Sequence, residues 1–253
     1  MKMIKAAVKK YWPATMIFVG LGLWYYYATE TGKALSYLFP DVSSIWKAFQ
    51  ADKGLLIPNM ISSFEIMIPS VIIALAIALS LGTLLGMNRK LRDALHPVIY
   101  TFSVVPPILL APFVLMMAPT MRSASIILIV YSTVWATLFA TITGIQTIDK
   151  TYLDKAATLE LKGMEKFFKV ILPAASPTIL GGFVNALRNT FIMLVYAEMY
   201  GAQYGMGYYV KKFADFGMYN KVWLGFVFMV IVMVIVMQLF EKLKDRLLKW
   251  TIN

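Results

Sequence analysis

Residues 153–177 read LDKAATLELKGMEKFFKVILPAASP. The stretch is charged and ends in two prolines, yet it lies between long apolar runs. Around it, Leu153, Ala156, Ala157 and Leu161 recur at spacings of three and four, which places a small-residue face on a short helix over 151–161. Asp149 or Thr151 can cap its start. A second helix over 163–172 gathers Phe167, Phe168 and Ile171, and Pro173 and Pro177 are expected to end it and open the next apolar run. Five lysines face four acids between residues 149 and 169, so the segment is no basic lipid-binding patch. Alanines on one face let another surface approach closely; an ordinary connector between two spans is the plain alternative.

The surrounding chain explains why a polar helix stands out. Of 253 residues, 60% are hydrophobic and only 15% charged, against about 45–50% and about 25% in soluble domains. Six windows reach the roughly 20 apolar residues that a membrane span needs: 12–28, 62–87, 95–117, 123–145, 177–196 and 222–239. Backbone groups in lipid must bond within their own segment, so each is expected to be helical, and strand-like alternation is absent. The basic, apolar N-terminus ends in bulky aromatics rather than small cleavage-site residues, so it reads as a retained first span. The expected fold is all-α and polytopic. Residues 1–58 would form an N-terminal tail, first span and external loop. Residues 59–253 would form a five-helix core with a loop at about 146–173. In the external loop, Asp41 would cap a short surface helix with Ile45, Trp46 and Phe49 on its apolar side.

Charge gives the sidedness. Sixteen Lys and Arg flank one set of span ends and seven the other, so the rich side, with both termini and the opening stretch, is expected to be cytoplasmic. The net charge of +11 therefore reports topology, not nucleic-acid binding. Zero cysteines and one histidine, His96, leave no metal cluster or catalytic triad, which argues against a membrane enzyme. No G-x-x-x-x-G-K phosphate loop occurs.

With those residues in view, the opening stretch resembles the "EAA…G…LP" cytoplasmic loop of ABC-importer membrane subunits, specifically the nitrate/sulfonate/taurine/bicarbonate group of binding-protein-dependent permeases. Asp154, Lys155 and Ala156 fall at the E-A-A positions, Thr158 and Leu159 match the usual "TL", and Leu172-Pro173 matches the Leu-Pro. Glu160 stands at the glycine position, with Gly163 three residues later, consistent with a shifted turn. GTLLGMNRKLRDALHPVIYTFSVVPP, LVYAEMYGAQYGMGYYV and the last span with its basic tail resemble further family segments in order, from about residue 39 to 250.

The resemblance implies a type I importer permease. Two such subunits would pair with two cytoplasmic ATPases, which hold ATP and Mg, while an external binding protein delivers the solute. The coupling contact would use Leu153, Ala156, Ala157 and Leu161, with Asp154 and Lys155 as a charged edge, through Thr158, Leu159, Glu160 and Gly163. The path would run along spans three to five. Pro106 and Pro107 break a helix there and free carbonyls. Glu65, Arg188 and Glu198 are ionisable at membrane depth or its edge, hence candidates for function. Tyr131, Met193 and Tyr196 could wall a cavity. Glu198 could instead pin the glycine loop that follows it. Gly82 and Gly86 allow close helix approach, within one subunit or between two. Glu65, and Arg188 one turn from the family's frequent arginine position at Val184, depart from an anion-transporter pattern; the tyrosines and methionines suit an uncharged or aromatic solute. An ion-gradient-driven secondary transporter is the rival, but no internal repeat supports it.

Overall fold

The computed structural model describes residues 2–32, 35 and 37–251, the side chains of 2–11, 14 and 251 excepted. Every regular element among them is helical. The helices are α1 (Lys2–Glu30), α2 (Val42–Met87), α3 (Arg89–Val104), α4 (Pro107–Met117), α5 (Met121–Gln146), α6 (Lys150–Thr158), α7 (Gly163–Lys166), α8 (Leu172–Gly201), α9 (Met206–Asp215) and α10 (Tyr219–Leu247). Four described helical stretches are long and apolar enough to cross a membrane: Val42–Met87, Met121–Gln146, Gly163–Gly201 and Tyr219–Leu247. The pair α3 and α4, bent by 88°, makes a fifth if it is one broken span. The expected first span lies within α1, which is not among these stretches.

Helix α5 is the central post, packed between α2 and α8. Small residues set those distances. A Cβ on Gly82 would lie 2.6 Å from Thr141 Cβ, and one on Gly86 3.0 Å from Ile145 Cβ. The Gly82–Gly86 pair therefore serves packing inside the subunit. On the other side, a Cβ on Gly182 would lie 2.1 Å from Ala140 Cβ. Leu128, Ile129, Leu187 and Leu194 close the core between these helices, and Thr133 and Thr190 share a buried hydrogen bond of 2.8 Å.

Three expectations are corrected. The short surface helix after Asp41 is not separate: α2 runs unbroken for 46 residues, about 69 Å at 1.5 Å per residue. It passes straight through the expected division at residues 58 and 59. Its first turns are ordered by packing, because Ala48 and Leu56 join Tyr209 and Leu224 in a core of their own. Asp41 sits at the N-cap but binds the Ser43 and Ser44 hydroxyls, which hold its carboxyl below the usual range, rather than a backbone amide.

The second correction concerns Pro173 and Pro177, which do not end a helix. From Gly163 to Gly201 the chain is continuous, with a π-helical segment at Phe167–Ile171. Proline at 173 has no N–H and crowds the carbonyl four residues back. The wider turn absorbs that clash, and the Leu172 amide bonds the Phe167 carbonyl. Pro177 leaves the Pro173 carbonyl without its helical donor, and the Ser176 hydroxyl replaces it at 2.8 Å. The third correction, the turn at Glu160, belongs to the site.

Candidate functional site

The α6–α7 loop is built by capping. The Asp149 carboxylate accepts the Thr151 amide at 2.7 Å, and these hydrogen bonds hold its carboxyl below the ordinary value. At the other end of α6, Glu160 has φ +53, the one left-handed non-glycine among the described residues. The Glu160 amide bonds the Ala157 carbonyl and the Leu161 amide bonds the Ala156 carbonyl, both at 3.0 Å. This pair of bonds is the Schellman arrangement, in which the residue after the cap is left-handed and usually glycine. The turn is therefore not shifted: Glu160 occupies the glycine position in the glycine conformation, and Gly163, φ +54, starts α7.

Burial within the subunit divides the four residues expected to make the coupling contact. Ala156 is buried and Leu153 and Leu161 are half-buried, because α6 packs on the π-helical segment of its own chain. Of the four expected contact residues only Ala157 is exposed. The exposed surface is formed instead by Lys150, Thr151, Tyr152, Asp154, Lys155 and the run from Ala157 to Glu160. Apolar spacing marked one face of α6 correctly; it could not say whether the subunit itself would cover it.

At the far end of α8 lies a second assembly. Three consecutive amides are bound by three side chains from two helices: Gly205 by Asn59 Oδ1 at 2.9 Å, Met206 by Ser63 Oγ at 2.9 Å, and Gly207 by Glu198 Oε2 at 2.7 Å. Glu198 is 1% exposed. Gly205 has φ +129, and a Cβ there would lie 2.5 Å from Glu198 Cδ. Beside this clamp, the Asp52 carboxylate, 5% exposed, accepts from the Tyr209 hydroxyl at 2.8 Å and from Lys221 Nζ at 2.9 Å. Burial first, then that bond to Asp52, pushes the Tyr209 phenol above its ordinary value. Asp52, Asn59, Ser63, Tyr209 and Lys221 were not singled out from the sequence. The signal was available for Asp52, which shares the buried face of α2 with Ala48 and Leu56 at spacings of four.

Glu65 lies near the same end, in a cleft of about 320 Å³ that Arg122, Ser125 and Gln203 also line. Arg122 Nη2 is 3.6 Å from the Glu65 carboxylate and donates to the Glu65 carbonyl at 3.3 Å. Pro69 stands four residues after Glu65 and cannot return that bond. Arg122 thus repairs a proline gap as well as pairing an acid.

Pro106 and Pro107 form the 88° bend between α3 and α4. Tyr131 donates its hydroxyl to the freed Phe102 carbonyl. Pro107 and Met193 line a cleft of about 290 Å³ beside Trp135 and Asn189, and Trp135 meets Tyr131 edge-on at 5.5 Å. The structure thus unites Pro106, Pro107, Tyr131 and Met193, but leaves Tyr196 against Tyr200 at 4.8 Å. Arg188 is exposed with Asn185, its 3.3 Å partner, and has no acidic partner among the described residues.

Comparison with known proteins agrees with this architecture. Residues 74–250 match the family model described as binding-protein-dependent transport system inner membrane component. The chain is 28% identical over 195 residues to a probable ABC transporter permease protein of Brucella melitensis, covering 77% of this chain and 78% of that one. It is 29% identical over 174 residues to a putative aliphatic sulfonates transport permease protein of Bacillus subtilis, covering 69% and 63%. A bacterial ABC transporter involved in import of the acidic polysaccharide alginate has a chain that superposes with a TM-score of 0.64, at 13% identity, over 96% of this chain and 99% of that one.

Proposed function

The chain belongs to the family of inner-membrane components of binding-protein-dependent transport systems, and from that premise we propose that it is the permease subunit of an ATP-driven importer in which two copies enclose the path. The solute arrives from an external binding protein, and cytoplasmic ATPase subunits bind the ATP and Mg. This chain holds neither and catalyses no reaction. Both termini and the α6–α7 loop face the cytoplasm, in keeping with the excess of Lys and Arg there.

One observation carries the coupling assignment. Helix α6 is capped at both ends and rests on the long helix that runs from Gly163 to Gly201, while its outer surface at Asp154, Lys155, Ala157, Thr158 and Leu159 has no cover from its own chain. A push on that surface reaches α8 through the π-helical segment, against which α6 packs and which runs on into α8 without a break. Alanine at 157 lets a partner's backbone come close. Replacing Ala157 with Arg is expected to abolish solute-stimulated ATP hydrolysis in the reconstituted assembly while the permease still folds; unchanged coupled hydrolysis would refute the docking assignment. Gradient-driven uptake by the chain reconstituted alone would refute the importer itself.

A further inference from the structure

Helix α10 outruns the membrane. Its 29 residues span about 44 Å at 1.5 Å per residue, against a hydrocarbon core of about 30 Å. The largely apolar run ends at Phe240, and Glu241, Lys242, Lys244, Asp245 and Arg246 follow inside the same helix. The last two turns therefore stand at the level of the lipid headgroups. Their apolar side chains are not covered by the subunit: Leu239, Leu243, Leu247 and Trp250 are each 50–61% exposed. Seven and eleven residues are close to two and three helical turns. Lys242 thus stands within about 20° of Ile235 and Ile231, and Arg246 within about 20° of Leu239 and Ile235. Ile231 and Ile235 lie at membrane depth and are each 52% exposed. Two cations are therefore set directly above an uncovered apolar strip.

The charges restrict what can cover this strip. Glu241 is paired with Lys244 on another side of the helix. Lys242, Arg246 and Lys249 are exposed and have no side-chain partner among the described residues. Asp245, three residues after Lys242, is the acid nearest to them in the helix, and it forms no ion pair with them. Three cations against one acid leave this side at +2. A neutral apolar partner would cover the leucines and leave the cations unanswered. A soluble anion would answer the cations and leave the leucines in water, which is unfavourable in proportion to their area. A molecule with acyl chains below and a phosphate above meets both demands. The guanidinium fork of Arg246 suits two phosphate oxygens, and Lys242 and Lys249 add point charges. Trp250 is the amphipathic ring found at membrane–water boundaries.

We propose that the strip from Ile231 to Trp250 is a binding site for an anionic phospholipid of the leaflet at this end of α10. The acyl chains lie along Ile231, Ile235 and Leu239, and the phosphate accepts from Arg246, Lys242 and Lys249. Leu243, Leu247 and Trp250 pack on the region between chains and headgroup. The site reads net negative charge, because a choline headgroup brings a cation of its own toward the three basic side chains. It requires that α10 cross the bilayer and does not depend on the importer reading.

The test titrates the purified full chain in detergent with dioleoyl phosphatidylglycerol or dioleoyl phosphatidylcholine, and native mass spectrometry counts the lipid retained. Phosphatidylglycerol is expected to bind more tightly. The triple variant Lys242→Gln, Arg246→Gln, Lys249→Gln loses that preference, and Arg246→Gln alone weakens phosphatidylglycerol binding roughly fivefold, as loss of one surface cation does. Lys47→Gln with Lys53→Gln, on exposed lysines near the start of α2, leaves the preference unchanged. Leu239→Ser with Leu243→Ser weakens the binding of both lipids. Equal binding of the two lipids by the wild type, or a preference that survives the triple variant, overturns the proposal. Full competition by glycerol 1-phosphate also overturns it, by making this a site for a soluble phosphate. A triple variant that sheds a second copy or the ATPase subunits while keeping its lipid preference would make the strip a protein interface instead. Thermal unfolding checks each variant, and if the triple variant does not fold, Arg246→Gln decides.

Discussion

At the α9 end, Asn59, Ser63 and Glu198 bind three successive amides, and Asp52 holds Tyr209 and Lys221 in a buried cluster. In the α6–α7 loop, by contrast, Asp154, Lys155 and Thr158 stand in solvent, and the Lys169–Glu165 ion pair is on the surface. The two regions use similar residue types for different ends. Buried polar groups tied to several elements lock those elements together, because removing one partner strands the others. Exposed polar groups contribute little to stability; they leave a surface that another molecule can cover. One end of α8 is thus fixed within the subunit, and the other rests on a helix whose outer side has no cover.

The contrast breaks most readily at Gly205. Gly205→Ala places a Cβ against the Glu198 carboxyl in a backbone region that only glycine adopts easily, and is expected to cost about 3 kcal/mol or more. Thermal unfolding in detergent measures it, and a midpoint within error of wild type would show that the clamp is not tight. Next comes Asp52→Ala, which strands Lys221 and the Tyr209 hydroxyl and is expected to cost about 3 kcal/mol. The double variant Asp52→Leu with Lys221→Met should recover much of that loss; a double variant as unstable as the single one would show that the ion pair is not the cause.

In the loop the expected effects are smaller and partly of opposite sign. Glu160→Gly removes a left-handed penalty of about 1 kcal/mol and should stabilise α6. Slower hydrogen exchange at the Leu161 amide is the readout, and faster exchange would contradict the Schellman assignment. The weakest effect is that of pH on the Asp149 cap. Its folded pKa is depressed, so the cap is fully present above the unfolded value, near about 3.9, and fades as pH falls through the lower folded value. Amides in the first turn of α6 should lose protection only in that acidic window, while the amides of the Gly205–Gly207 clamp keep theirs longer. Loss of α6 protection at neutral pH would discount the cap.

Much of this was legible locally. Pro106 and Pro107 announced a broken helix, and the bend lies there. Glu160 stood out because it replaced a glycine, and it is the residue with the left-handed backbone. Other features were hidden for a physical reason: Lys221 and Asp52 are 169 positions apart, and Arg122 and Glu65 are 57 apart. No spacing rule reaches across such distances. Pro173 misled because a proline stops an α-helix locally, whereas packing along α8 makes a π-turn the cheaper solution.

The sequence by itself determined the apolar composition, the helical character of the long apolar runs, the break at Pro106 and Pro107 and the small-residue stripes, since each depends only on neighbours one or two turns away. The tertiary structure decided which side of each stripe would be covered. Gly82 meets Thr141 inside the subunit, Ala156 turns inward and Ala157 outward, and Asp52 becomes a buried partner rather than a surface charge. Periodicity fixes a helical face, but only the packed neighbours determine what that face touches.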